Sequence, residues 1–453
     1  MLCMRCCGTV ASDKSRSAFG TLLLPCDRKR QKSVSVYPCF FVPLQRISNN
    51  DNMLSKSAAQ QVLENDILRF WQERMVDNQR GGFYGRIDGQ NTLHPDAEKG
   101  AVLNARILWT FSAAYRVLGK PEYLAMATRA KEYILAHFLD SEHGGCYWSL
   151  HADGSPLDTK KQTYAIGFMI YGFSEYARAT GDEEAKAVAI RLFHDIEDHA
   201  FVSQKVLTGT PKNVESQKPI EGYVEALTRE WQPIADMRLS DKDENAAFTM
   251  NTHLHILEPY TNLYRIWPDE HLRQCIVRLI SIFTDRLYNP ENHHVDCFFD
   301  DKWNGRRDIA SYGHDIEAAW LLNEASIVES RKSKVESTVS EITARIAEAS
   351  LEGLQPDGSM EHEDKDASRQ WWVECEAVVG FVDQWQLTGD ETWFKRAQRT
   401  WDYLTTHLID REHGEFYWAI LPDGSIDREN DKAGFWKCPY HNSRMCMELM
   451  ERL

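Results

Sequence analysis

Apolar residues recur every three to four positions along most of this chain, the spacing that gives a helix one buried face. Between Arg106 and Leu118, Ile107, Trp109, Phe111 and Tyr115 fall among alanines and leucines, and the pattern predicts a buried amphipathic helix. The same period predicts helices near 56–75, 121–137, 161–179, 183–199, 245–265, 270–286, 313–329, 334–352, 370–387 and 391–407. Pro439 suits the start of one more helix, where a missing N–H costs nothing. Strand-type alternation is confined to short pieces such as Gly82-Phe-Tyr-Gly-Arg-Ile-Asp88. The expectation is an all-α chain of about a dozen helices with almost no sheet.

A repeat says how those helices are arranged. Gly145-Cys-Tyr-Trp-Ser-Leu-His-Ala-Asp-Gly-Ser155 matches Glu415-Phe-Tyr-Trp-Ala-Ile-Leu-Pro-Asp-Gly-Ser425 without a gap. Asp140 aligns with Asp410, His143 with His413 and Gly119 with Gly389, each pair 270 positions apart. Fainter copies begin at Gly81 and at Cys297. Asp-Gly pairs are common turn formers, but chance turns do not hold register over a long stretch. Repeated helix pairs joined by aromatic turns predict a stacked array, and similar units at both ends predict closure into a ring. The glycine-rich aromatic turns are expected on one rim and the longer loops on the other.

Composition narrows the partners. With 453 residues, 43% of them hydrophobic, the chain can bury a large core. Its 14 tryptophans serve core packing or stacking on sugar rings, and composition does not choose between them. A net charge of −16 argues against nucleic acid, which needs a basic patch. No apolar run reaches the length of a membrane span. The first fifty residues differ from the rest, with five of the 11 cysteines and eight Lys or Arg against Asp13 and Asp27. Their apolar stretches are too short and broken for a secretion signal. Residues 1–52 therefore read as a non-native or disordered extension, with the functional domain spanning 53–453 from Met53. The six remaining cysteines are scattered without a Cys-x-x-Cys pair, so neither a zinc site nor a disulfide framework is expected, and a cytoplasmic location fits best.

Chemistry concentrates in three histidine motifs. Asn251-Thr-His253-Leu-His255-Ile-Leu-Glu258 and Tyr312-Gly-His314-Asp-Ile-Glu317 each hold His-x-x-Glu, whose i,i+3 spacing puts both side chains on one helix face. A carboxylate beside an imidazole fixes its tautomer and is expected to raise its pKa, which suits proton transfer near neutrality. The third motif, Trp436-Lys-Cys-Pro-Tyr-His441-Asn-Ser-Arg444, sets His441 at a helix start beside Trp436. Other readings compete. Each histidine alone could be a satisfied helix residue. A metal site is disfavoured, because His253 and His255 point about 200° apart around a helix and cannot share a ligand set. A glycosidase would use two carboxylates, for which Glu374 and Glu376 after Trp371 and Trp372 are the candidates.

From Met53 to Leu453 these motifs together resemble the N-acylglucosamine 2-epimerase superfamily, and its cellobiose 2-epimerase branch in particular. The resemblance implies an (α/α)6 barrel that epimerises the reducing-end glucose of β-1,4 disaccharides to mannose without a cofactor or metal. It implies His255, His314 and His441 as the active-site histidines and Glu258 and Glu317 as acidic partners. It further implies Arg106 as a sugar-oxygen ligand, and Tyr164, Asn251, Trp372 and Trp436 as sugar contacts. A monomer with a small-molecule disaccharide as its partner, free of nucleic acid and membrane, completes the expectation. Alternatives within the superfamily are an aldose–ketose isomerase and an N-acylglucosamine or mannose epimerase. The chemistry expected is ring opening, removal of the C2 proton next to the new aldehyde, and return of a proton on the opposite face. His314 and His441 are cast as the acid/base pair, with His255 and Arg106 stabilising the enediolate. No Gly-x-Gly-x-x-Gly or phosphate-loop element follows a strand, so no nucleotide cofactor is expected.

Overall fold

The helical periods fold as hairpins whose two members are buried very differently. The computed structural model describes residues 53–453 apart from 205–206, 209–214, 217–219, 241, 306–308 and 330–334; the extension expected at 1–52 lies outside the described residues. The first outer helix comprises α1 (Lys56–Gln61) and α2 (Arg69–Arg74), joined by a π-helical stretch at Val62–Leu68. Then come α3 (Ala101–Leu118), α4 (Pro121–Tyr133), α5 (Thr163–Thr180), α6 (Glu183–His199), α7 (Met250–Ile266) and α8 (Glu270–Ile282). The last are α9 (Tyr312–Glu329), α10 (Val335–Ser350), α11 (Trp371–Thr388), α12 (Glu391–His407) and α13 (Tyr440–Arg452). α5 is buried without a break from Thr163 to Ala177, whereas α6 buries one stripe through Val188, Leu192 and Ile196. A helix apolar all round belongs inside, and a striped one belongs on the surface.

The inner helices α3, α5, α7, α9, α11 and α13 each pack against the next, and α13 returns to α3. Each of the first five is backed by the helix that follows it, and α13 by α1 from the start of the domain. This is the expected (α/α)6 barrel, with its last hairpin made from the first and last helices of the described residues.

The two rims differ from expectation. Inner helices hand over to outer ones through tight turns, with Gly119, Gly181 and Gly389 in the left-handed region at φ +70°, +76° and +69°. Asp182 and Asp390 then cap the next helix through Ala185 N and Thr392 N. The aromatic glycine turns and the long loops both lie on the other rim, because every return from an outer to an inner helix happens there. Two-residue antiparallel pairs stand just before the inner helices: Lys99–Gly100 with Ser149–Leu150, Lys161–Gln162 with Ala226–Leu227, Phe248–Thr249 with Phe298–Phe299, and Arg369–Gln370 with Ala419–Ile420. The Phe248–Thr249 pair moves the start of α7 from the expected 245 to Met250, and α3 begins at Ala101, ahead of Arg106.

The repeat has a physical cause. Asp77, Asp140 and Asp410 each accept the N–H groups two and three residues on, folding the turn. Each also holds a buried lysine from the end of its connection: Lys99 at 3.1 Å, Lys161 at 2.8 Å, and Lys432. The turn is thereby pinned to the foot of the next inner segment. Glu415 stands where Gly82 and Gly145 do, at φ +64°, a strained position for a side chain. Its buried carboxylate accepts Trp71 Nε1 at 2.7 Å, Lys437 Nζ at 2.6 Å and Asn442 Nδ2 at 2.6 Å. Those bonds tie the first helix to α13, so the departure from glycine falls where the ring closes.

Candidate active site

Inner helices alternate with outer ones, so all six run the same way and present their N-terminal turns to one rim. The sequence candidates gather there: Arg106 on α3, Tyr164 on α5, Asn251, His255 and Glu258 on α7, His314 and Glu317 on α9, Trp372 on α11, His441 on α13. Trp436 lies in the segment leading into α13. A single polar network links several of them. His255 Nδ1 meets Glu258 Oε2 at 3.1 Å, and Glu258 Oε1 accepts from both Tyr440 Oη and Arg444 Nη1. Arg444 Nη2 reaches Glu317 Oε1 at 2.6 Å and Glu376 Oε1 at 2.7 Å, and His441 Nδ1 meets that same Glu376 oxygen at 2.7 Å. Trp320 Nε1 donates to the other Glu376 oxygen at 3.0 Å. Two histidines are thus joined through one buried guanidinium.

Burial and this cation set the protonation states. Burial works to raise the Glu258 carboxyl, but the Arg444 charge and the His255 bond outweigh it and hold the group at about 2. Glu317 goes the other way: burial and the neighbouring Glu376 charge push it up to about 8. All three histidines are lowered, against the expectation that a carboxylate would raise them. Burial leads in each case, the charges of His362 and His255 assist in taking His314 to about 3, and Arg106 and Arg444 assist at His441. Losing the hydration of an imidazolium costs more here than one shared carboxylate returns. At neutral pH the three rings are therefore neutral. With Nδ1–H of His255 and His441 turned to a carboxylate, Nε2 of each keeps its lone pair as a base.

The i,i+3 pairing expected for His314 and Glu317 does not form. His314 Nδ1 bonds Ser311 Oγ at 2.8 Å, while Glu317 turns to Arg444 and lies 3.9 Å from His441 Nδ1. A charged guanidinium donates to a carboxyl oxygen, ionised or not, more strongly than a neutral ring does. The ring beside His441 is also not the one expected. Trp372 lies 5.8 Å from His441 and 4.8 Å from His314, between the two, with its Nε1 fixed by Gln370 at 2.9 Å. Trp371 packs on Trp418 at 4.7 Å and stands farther from His441, at 6.4 Å. Trp436 joins Trp148 and Tyr164 at 5.8 and 6.0 Å.

Arg106 is buried without a carboxylate partner among the described residues. Its Nη2 donates to Tyr164 Oη at 2.9 Å, its Nη1 touches Cys438 Sγ at 3.4 Å, and its Nε has no partner. The guanidinium lies over the Phe168 and Tyr440 rings at 4.1 and 4.6 Å. Asn251, one turn before His255, likewise has a buried Oδ1 without a partner. His253 is structural: its ring bridges Thr249 O at 2.7 Å and Tyr223 N at 3.1 Å, and burial takes it to about 4.

The position of His255 depends on two residues without polar side chains. Pro259, inside α7, has no N–H to offer the His255 carbonyl. Gly167 of α5 packs against that carbonyl so closely that a Cβ would sit 2.5 Å from its oxygen. Gly167→Ala is expected to cost about 1–3 kcal/mol through overpacking. Turnover should fall about tenfold or more as His255 is displaced. Thermal unfolding and initial rates check this, and a fully active, fully stable alanine variant would show that α7 tolerates the shift.

Sequence reasoning missed Arg444 and Tyr440, and it cast Glu376 as a glycosidase carboxylate. The signal for Arg444 was its spacing, three residues after His441 and four after Tyr440, which sets all three on one face of α13. Glu374 accepts Met360 N at 3.0 Å from a fully buried position, so it and Glu376 do not form a free carboxylate pair. Ligand atoms of Glu317, Glu376 and His441 lie within 4.8 Å of one another, as do those of Glu197, His271 and Cys275. In both clusters an arginine already fills the cationic role: Arg444 in the first, and Arg278, 2.5 Å from Glu197 and 3.0 Å from Cys275, in the second.

The chain matches the family model described as N-acylglucosamine 2-epimerase over residues 82–444. It is 51% identical over 401 residues to a cellobiose 2-epimerase of Bacteroides fragilis, covering 87% of this chain and 98% of that protein. A cellobiose 2-epimerase of Ruminococcus albus is 39% identical, with the same coverage. The solved structure of cellobiose 2-epimerase from Bacillus thermoamylovorans superposes with a TM-score of 0.80 at 38% identity, covering 88% of this chain and 99% of that one.

Proposed function

Because the chain belongs to the N-acylglucosamine 2-epimerase family, we propose that it inverts C2 of the reducing-end glucose of cellobiose and related β-1,4 disaccharides, giving mannose. The observation that carries this reading is a set of neutral imidazoles, His255 and His441 buried and His314 half-buried, beside an Arg106 charge with no carboxylate among the described residues to satisfy it. A C2–H in a closed pyranose is not acidic enough to lose. Once the ring opens, C2 lies next to an aldehyde, and a neutral imidazole near it is a competent base. The electrons left on C2 move through the C1–C2 bond onto the aldehyde oxygen O1, where a desolvated guanidinium stabilises them strongly.

In this scheme His314 and His441 face C2 from opposite sides, and each is the base for one epimer and the acid for the other. The lowered pKa of both rings fits bases that wait unprotonated. Glu376 and Arg444 hold the His441 ring in one tautomer, Arg106 receives the charge that develops on O1, and His255 accepts a hydrogen bond from the C2 hydroxyl at Nε2. One of the pair also moves the proton that opens the ring at O5. Trp372, Trp436, Tyr164 and Asn251 contact the sugar. These are this chain's own groups, and the scheme calls for no added cofactor or metal.

The setting is proposed too. Among the described residues the cysteines are free and buried, and no helix is long and apolar enough to cross a membrane. We place the enzyme in the cytoplasm as a monomer acting on a free disaccharide, with no nucleic-acid or membrane partner.

Incubation of the chelator-treated protein with cellobiose in D2O, followed by proton NMR, tests the whole reading. Glucosyl-mannose carrying deuterium at C2 is the expected product. A ketose would make the enzyme an isomerase, free glucose would make it a glycosidase, and an unchanged substrate would overturn the assignment.

A further inference from the structure

Glu225 lies outside the histidine network, in the connection between α6 and α7, with only 2% of its surface exposed. Among the described residues no cation reaches it. Its carboxyl binds the start of α7 twice: Oε1 accepts Thr249 N at 2.8 Å, and Oε2 meets Thr252 Oγ1 at 2.5 Å. Its own carbonyl accepts Thr163 N, the first residue of α5, at 3.0 Å. The neighbours on both sides repeat the pattern. Thr163 Oγ1 donates to Val224 O at 2.6 Å, Tyr223 N donates to His253 Nε2 at 3.1 Å, and Ala226 and Leu227 pair with Gln162 and Lys161. A short stretch around Glu225 thus clamps the first turn of α5 to the first turn of α7. Tyr164 follows Thr163 directly, and Asn251 lies between the two threonines that Glu225 holds.

We propose that Glu225 is a positioning residue that sets Asn251 and His255 of α7 against Tyr164 of α5, and that it does so as the neutral acid. A carboxylate buried without a cation is costly, whereas the acid can donate to Thr252 Oγ1 while accepting from Thr249 N. The titratable groups around it favour the same state. His253 on α7 is neutral, Lys161 ahead of α5 is committed to Asp140, and Asp243 on the connection adds a like charge. Burial, with Asp243 assisting, pushes the group up to about 8.

The inference rests on the proposed epimerase reading, but one arm of its test does not need turnover. Glu225→Gln copies the acid, with an amide N–H for Thr252 and a carbonyl for Thr249 N. It should keep kcat and KM at neutral pH within about twofold of wild type. Glu225→Ala should lose about tenfold or more in kcat with KM less affected, because the helix ends drift. The second arm is stability against pH. A carboxyl raised in the folded state costs stability as pH climbs from 4.5, its ordinary value, through about 8, and the glutamine variant escapes that loss. The glutamine variant's Tm should therefore gain on wild type across that window and level off beyond it. Three results would each overturn the proposal: a folded alanine variant with wild-type kcat, a glutamine variant as impaired as alanine, or a Tm difference flat in pH. If the alanine variant does not fold, the glutamine variant and its pH series decide alone.

Discussion

Replacing His441 with Asn should stop net epimerisation, by about three orders of magnitude, while leaving half of the proton chemistry intact. In a two-base scheme each imidazole removes the C2 proton from one epimer only. The His441→Asn protein should still exchange deuterium into one epimer through His314, and fail with the other. His314→Asn should exchange the other epimer, and whichever variant has lost the ring-opening histidine should exchange more slowly because the open chain forms without its help. Asparagine suits both sites because it keeps a polar group near the ring's place without a basic nitrogen. In D2O, starting separately from cellobiose and from glucosyl-mannose, the two variants should give opposite exchange patterns. If both variants exchange the same epimer, a single base serves both faces. If His441→Asn exchanges both epimers at the normal rate, His441 has no part in the pair. The lowered pKa of both histidines adds a pH expectation. Exchange by either remaining ring should persist unchanged as pH falls through 6.5, the ordinary imidazole value, because neither ring protonates there.

How much of this was legible depends on the range of the interaction. The helices follow from local periodicity, and the ring follows from the 270-residue repeat, since stacked hairpins that recur at both ends have one natural closure. Strand pairs two residues long carry no periodic signal, so the start of α7 was misplaced. Both kinds of return connection share one rim because hairpins alternate, a rule of topology that the turn residues do not spell out. Glu415 shows the limit most clearly. The repeat aligned it with Gly145, but its reason for breaking the glycine pattern is Trp71, 344 positions away.

The site divides in the same way. Its three histidines stand in motifs that resemble a known family, so the sequence offers them as candidates. Their partners were assigned from i,i+3 spacing, which says that two side chains share a face and not that they bond. The spacing held for His255 with Glu258 and failed for His314, because Arg444 draws Glu317 away. The expected rise in histidine pKa failed because burial, which one sequence does not display, outweighs one carboxylate. Arg444 itself lies between Ser443 and Met445 and resembles a stray surface charge until the ring is closed.

Arg444 should accordingly be the most damaging position to neutralise in the inner ring. Its guanidinium is the common partner of Glu258, Glu317 and Glu376, and it is 1% exposed. Arg444→Met should cost about 3–5 kcal/mol at neutral pH, the penalty for stranding a buried charge. The loss falls mainly on Glu258. Glu317 and Glu376 are already pushed up by burial and are more readily neutral, so they lose less. Glu258 is held at about 2 against an ordinary 4.5. A carboxyl lowered in this way contributes stability that is complete above 4.5 and is lost as pH falls through about 2. The gap in stability between wild type and Arg444→Met should therefore be widest near neutrality and close as the solution is acidified through that window. Arg444→Lys keeps the charge but cannot span Glu258 on one side and the other two on the opposite side, so it should restore part of the stability and little of the turnover. Urea unfolding of the three proteins across pH measures this directly. A methionine variant as stable as wild type at neutral pH would mean that Glu258 is neutral in the native protein. His255 would then lose the ionised acceptor that fixes its tautomer, and the enediolate would have to be held by Arg106 alone.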